Sequence, residues 1–62
     1  MPTISVNLLE GRTIEAKRKY AAEVTKLTCD CFDVPPDRVR VVFTDMKHEN
    51  FAVAGVLSAD KK

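Results

Sequence analysis

At 62 residues the chain has room for a single domain, and a domain this small buries only roughly 60% of the surface its unfolded form exposes. Its 45% hydrophobic and 31% charged content, with only two Gly and three Pro, excludes a disordered or fibrous polymer; a formal net charge of +1 leaves no broad field for nucleic acid or an anionic membrane. No apolar run approaches the roughly 18 residues of a membrane span, and the start MPTISVNLLEGR lacks the basic and apolar regions of a signal peptide, so a cytoplasmic protein is expected.

The missing burial has to come from somewhere. No disulfide framework or metal-ligand cluster is apparent, so one domain spanning 1–62 is expected to complete its core against partner subunits, as a homo-oligomer. Cys29 and Cys31 fall two apart in a helical stretch, about 200° around the axis, so they neither share a metal nor bond each other and read as small hydrophobes in a reducing compartment.

In chain order, residues 3–9 (TISVNLL) alternate Ile4, Val6 and Leu8 against Thr3, Ser5 and Asn7, which predicts a strand. Glu10-Gly11-Arg12 breaks the pattern. Thr13 is a suitable N-cap, and Glu15 suits the positive end of the helix dipole, so a helix is expected from about residue 14. Ile14, Tyr20, Ala21, Val24, Leu27, Thr28 and Cys31 recur at three- and four-residue steps, predicting one face packed on a sheet. Val34-Pro35-Pro36 ends the helix near Phe32 or Asp33, because proline lacks a donor and pushes its predecessor out of the α region.

Residues 38–45 (RVRVVFTD) predict a second strand, with Val39, Val41 and Phe43 on one face and Arg38, Arg40, Val42 and Thr44 on the other. Strand, helix and strand form a right-handed βαβ unit with parallel strands. A parallel sheet is normally covered on both faces and this chain offers one helix, so the second face is expected to meet another subunit. The last segment carries an apolar piece from Phe51 to Leu57 broken by Gly55, expected to form a small hairpin.

Several residues could carry chemistry. Initiator methionine is commonly removed ahead of proline, and a terminal Pro2 would present a secondary amine. An ordinary α-amino group titrates at about 7.7 to 8.0, and neighbouring cations or a dry pocket would lower that towards a general base at neutral pH. Arg12 and Arg40 sit near strand ends, where their fixed forks could grip carboxylates or an enolate-like transition state; Arg38 is a weaker candidate of the same kind. The competing reading is that these arginines are solvated or paired with Glu10 and Asp37. Phe51 is either a pocket wall or a hairpin core residue, and His48, between Lys47 and Glu49, reads as a solvated loop residue.

Pro2 after Met1, the run Leu8-Leu9-Glu10-Gly11-Arg12, the run Val39-Arg40-Val41-Val42 and the segment Asn50-Phe51-Ala52-Val53-Ala54-Gly55 closely resemble the 4-oxalocrotonate tautomerase family, over nearly the whole chain. The resemblance implies an α/β subunit of the tautomerase, or MIF-like, fold: βαβ with a C-terminal β-hairpin, paired into dimers that assemble as a hexamer. It further implies proton transfer between oxygen and carbon of a dienol acid such as 2-hydroxymuconate, with no cofactor. By position, Pro2 would be base and then acid, Arg40 would hold the 2-oxo and carboxylate end, and Arg12, from a different subunit, the distal carboxylate of this small anionic substrate. Phe51 and Leu9 would form an apolar wall. Ala52 and Ala54 stand where many relatives have glycine, which bears on substrate choice. Two alternatives stay open: a hydratase or dehalogenase of unsaturated acids that uses protonated Pro2, or a non-catalytic oligomeric binding protein that keeps Met1.

Overall fold

The computed structural model describes residues 1–61 and follows the order β1 (Thr3–Leu9), α1 (Ile14–Phe32), β2 (Arg40–Met46), then a hairpin of β3 (Ala52–Val53) and β4 (Val56–Leu57). Strands β1 and β2 pair in parallel from Thr3↔Arg40 to Leu9↔Met46, and β3 and β4 pair antiparallel. The βαβ unit and the C-terminal hairpin expected from the sequence are both present. Among the described residues no helix is long and apolar enough to cross a membrane.

Local chemistry sets these boundaries. The Thr13 side chain accepts the Ala16 N–H at 3.1 Å, satisfying one of the helix's free donors. At the other end Asp33 takes a left-handed φ of 54°, a conformation that Asp tolerates better than most residues, and Val34-Pro35 leads away extended. Pro36 then opens a 3₁₀ turn, Pro36–Arg38, in which the Arg38 N–H donates to the Pro35 carbonyl. This corrects the expected second strand: it begins at Arg40, because the proline pair favours a turn before the ladder, and Arg38 lies on that turn instead of sharing a sheet face with Arg40.

The layer between α1 and the sheet is thin. Val41 and Phe43 of β2 lie with Ile4, Val6 and Leu8 on the half-buried side, and Phe43 meets Tyr20 edge-on at 6.0 Å. The helix meets them with Lys17, Ala21, Val24, Thr25, Thr28 and Cys29; Thr28, 7% exposed, is satisfied by donating to the Val24 carbonyl at 2.7 Å. Lys17 turns in to Asp45 at 2.8 Å. Ile14 and Leu27, expected on the packed stripe, are 59% and 61% exposed, and Cys31 is exposed as well. Their helical spacing is real, but the surface they would pack against is absent from the protomer.

The dimensions agree. The protomer measures 43 × 23 × 13 Å with a radius of gyration of 14.7 Å, against roughly 11 Å for a compact chain of this length. Its accessible surface of 5067 Å² exceeds the roughly 4,000 Å² of a compact monomer of this mass by about a quarter. Among the described residues no hydrophobic side chain is fully buried. If partner subunits complete this thin core, the protein gains stability by mass action and its thermal midpoint is expected to climb with protein concentration. A midpoint unchanged over a hundredfold dilution would show that the protomer sustains itself.

The hairpin carries a local strain of its own. Its two-residue loop, Ala54-Gly55, has positive φ at both positions, 54° and 82°, as a type I′ turn requires. Gly55 tolerates this; Ala54 does not, at a cost of roughly 1 kcal/mol. Replacing Ala54 with Asn, the preferred residue there, should raise stability by about 0.5–1 kcal/mol, read as a higher denaturant midpoint at unchanged slope.

Candidate active site

The parallel register fixes the first half of the site. With Thr3 opposite Arg40, the Arg40 N–H donates to the Pro2 carbonyl at 3.0 Å, so the two backbones lie side by side on neighbouring strands at the N-terminal edge of the sheet. Pro2 is half-buried and Arg40 exposed. Arg38 stays near this edge, on its turn.

The second half lies at the opposite end. Leu9, Phe51, Val53, Val56, Ser58 and Lys61 line one cleft, so the structure brings Leu9 and Phe51 together as the sequence suggested. Phe51 is therefore a cleft wall and not a buried hairpin core residue. Three polar contacts hold this wall in place. The Ser58 N–H donates to the Phe51 carbonyl at 2.7 Å, Ser58 Oγ lies 2.7 Å from His48 Nδ1, and the His48 N–H donates to Glu10 Oε2 at 3.0 Å. His48 is exposed, as expected, and it also bridges the hairpin and the β1–α1 loop.

Arg12 is placed elsewhere. It lines a groove between α1 and the sheet with Val6, Leu8, Ala16, Lys17, Tyr20 and Phe43. Leu8 and Leu9 are consecutive strand residues and point to opposite faces, so the Arg12 groove and the Leu9–Phe51 cleft lie on opposite sides of the sheet. Among the described residues neither Arg12 nor Arg40 has an ion-pair partner: the pairs found are Lys17–Asp45 and Arg18–Glu15, and Glu10 is engaged by His48. Pairing of the arginines with Glu10 and Asp37 is not what the protomer adopts, and both guanidiniums remain available to an anion.

The two halves are too far apart to act together within one protomer. Six strand steps from Thr3 to Leu9 span roughly 20 Å. Pro2 and Arg40 are brought together; Leu9 and Phe51 are brought together; Arg12 joins neither pair. Sequence reasoning missed Val53, Val56, Ser58 and Lys61. Val53 could have been found as the residue two beyond Phe51 on an alternating strand, whereas Ser58 and Lys61 depend on a 3₁₀ turn (Ser58–Asp60) that no local signal announces. Among the described residues no three of His, Cys, Asp or Glu are grouped to hold a metal ion.

Known proteins bear on this arrangement. The family model described as "Tautomerase enzyme" matches residues 2–61. The 2-hydroxymuconate tautomerase of Pseudomonas putida is 36% identical over 55 residues, covering 89% of this chain and 87% of that one. Among solved structures, a 4-oxalocrotonate tautomerase isozyme from Methylibium petroleiphilum superposes with a TM-score of 0.90 at 45% identity, covering 94% of this chain and 91% of that one. A heterohexamer 4-oxalocrotonate tautomerase from Chloroflexus aurantiacus superposes with a TM-score of 0.93 at 27% identity, over the full length of both chains.

Proposed function

Since the chain belongs to the tautomerase family, we propose that it interconverts the enol and keto forms of a small unsaturated 2-hydroxy or 2-oxo dicarboxylic acid, such as 2-hydroxymuconate, with the Pro2 amine as general base and acid. The observation that carries this reading is the register of β1 on β2, which sets Pro2 against an unpaired Arg40.

In this reading, loss of Met1 converts the Pro2 nitrogen from an amide, which has no basicity, to a secondary amine. The amine takes the proton of the enol hydroxyl. The oxygen's electron pair forms the carbonyl, the displaced π electrons move along the diene to a carbon, and the prolinium returns its proton there. No atom is gained or lost, and no external electron acceptor is required. Arg40 binds the carboxylate and oxygen at the reacting end, drawing charge from the dienolate as it develops. Arg12 grips the distal carboxylate, and Leu9 and Phe51 keep the site dry, which disfavours the protonated amine and so lowers its pKa.

Because roughly 20 Å separates the two halves within one protomer, a working site draws Pro2 and the Leu9–Phe51 wall from different subunits. A hexamer built as a trimer of dimers supplies that arrangement. The test is turnover of 2-hydroxymuconate followed by ultraviolet absorbance. Rapid ketonisation is expected, and its absence in Met1-free protein would refute the reading.

A further inference from the structure

Resting on the tautomerase reading, we propose that His48 is a positioning residue: through Ser58 its imidazole fixes the C-terminal hairpin and so sets the Phe51 wall of the Leu9–Phe51 cleft. His48 Nδ1 and Ser58 Oγ lie 2.7 Å apart, and among the described residues theirs is the only hydrogen bond that joins residues 51–61 to the rest of the chain. The hairpin needs such an anchor. Its strands pair over only two residues each, Ala52↔Leu57 and Val53↔Val56, and an isolated two-stranded hairpin is marginal in water.

The bond connects the two residues of the wall. On the hairpin side, the Ser58 N–H donates to the Phe51 carbonyl at 2.7 Å, which carries the ladder on to the residue that bears the ring. On the other side, the His48 N–H donates to Glu10 Oε2 at 3.0 Å, and the Glu10 N–H donates to the Met46 carbonyl at 2.8 Å, directly after the Leu9↔Met46 pair. Phe51 and the end of β1 are thereby linked through Ser58, His48 and Glu10. The contact suits every state of the ring. A neutral imidazole accepts or donates at Nδ1 according to its tautomer, a charged one donates, and a serine hydroxyl can answer either way. The pair is therefore a strut and not a pH switch. Asparagine at position 48 can offer an amide atom near the place of Nδ1, and alanine cannot.

The test is amide exchange by NMR on the assembled, Met1-free protein in wild type, His48→Ala, His48→Asn and Ser58→Ala. Losing the bond in His48→Ala or Ser58→Ala should speed exchange of the residue-58 amide by about three- to tenfold, the worth of one hydrogen bond, with the β1–β2 amides unchanged. His48→Asn should stay near wild type. His48→Ala should also lower kcat/KM for 2-hydroxymuconate by about three- to tenfold, and should lower it no further in a Phe51→Ala background, because its effect passes through that ring. Unchanged exchange in His48→Ala, or an equal loss of kcat/KM in both backgrounds, would overturn the proposal. Exchange is read without turnover, so the two readings fail separately. The expected exchange pattern in a protein inactive on 2-hydroxymuconate would remove the tautomerase reading alone; full activity with unchanged exchange in His48→Ala would remove the role of His48 alone.

Discussion

Replacing Pro2 with alanine should lower turnover of 2-hydroxymuconate by about a hundredfold to ten-thousandfold, the range that a positioned general acid and base contributes. The fold should survive. The contact that Pro2 makes to the sheet is through its backbone carbonyl, which accepts the Arg40 N–H and is present in alanine too. The variant's circular dichroism and oligomeric state should therefore match the wild type while its activity collapses. Some activity should persist, because the variant still ends in a primary amine; near-full turnover would show that the amine takes no part.

Arg40→Ala is expected to lower kcat by roughly a hundredfold to a thousandfold, since in the proposed mechanism its guanidinium serves the charge that appears only as the dienolate forms. The same truncation at Arg12 should act mainly on KM. A group that grips a distal carboxylate holds ground state and transition state alike, so its loss weakens binding without slowing the bound reaction. The contrast follows from placement: Arg40 starts β2 alongside Pro2, and Arg12 sits past the far end of β1. Steady-state kinetics on both variants separates the roles, and small equal effects would make both arginines bystanders.

Much of the fold could be read from the chain because its signals are local. Alternation in TISVNLL defined β1 to the residue, and Thr13 and the Val34-Pro35 break bracketed α1. The miss at Arg38 has an equally local cause, since a run of alternating residues looks like a strand even where Pro35-Pro36 has first imposed a turn. Ile14 and Leu27 failed for another reason. Helical spacing records every apolar surface a residue will meet, including those on other chains, and cannot say which lie inside the protomer.

The places of the candidate site residues were less legible than the elements that carry them. Leu9 and Phe51 meet as expected, yet the tether that aligns them joins Glu10 to His48 and His48 to Ser58, contacts between residues 38 and 10 positions apart that no periodicity encodes. Lys61 was hidden in a short mixed-charge tail for the same reason. Consecutive strand residues diverge to opposite faces, which is why Arg12, close to Leu9 in sequence, does not share its cleft.

At this length the chain can be made by synthesis with and without Met1, which isolates the contribution of a free Pro2 amine. Both forms, verified by intact mass and assembled at equal concentration, should be compared for turnover of 2-hydroxymuconate. Rapid ketonisation is expected of the Met1-free form and almost none of the Met1-bearing form, in which Pro2 is an amide. Equal turnover by the two would contradict it.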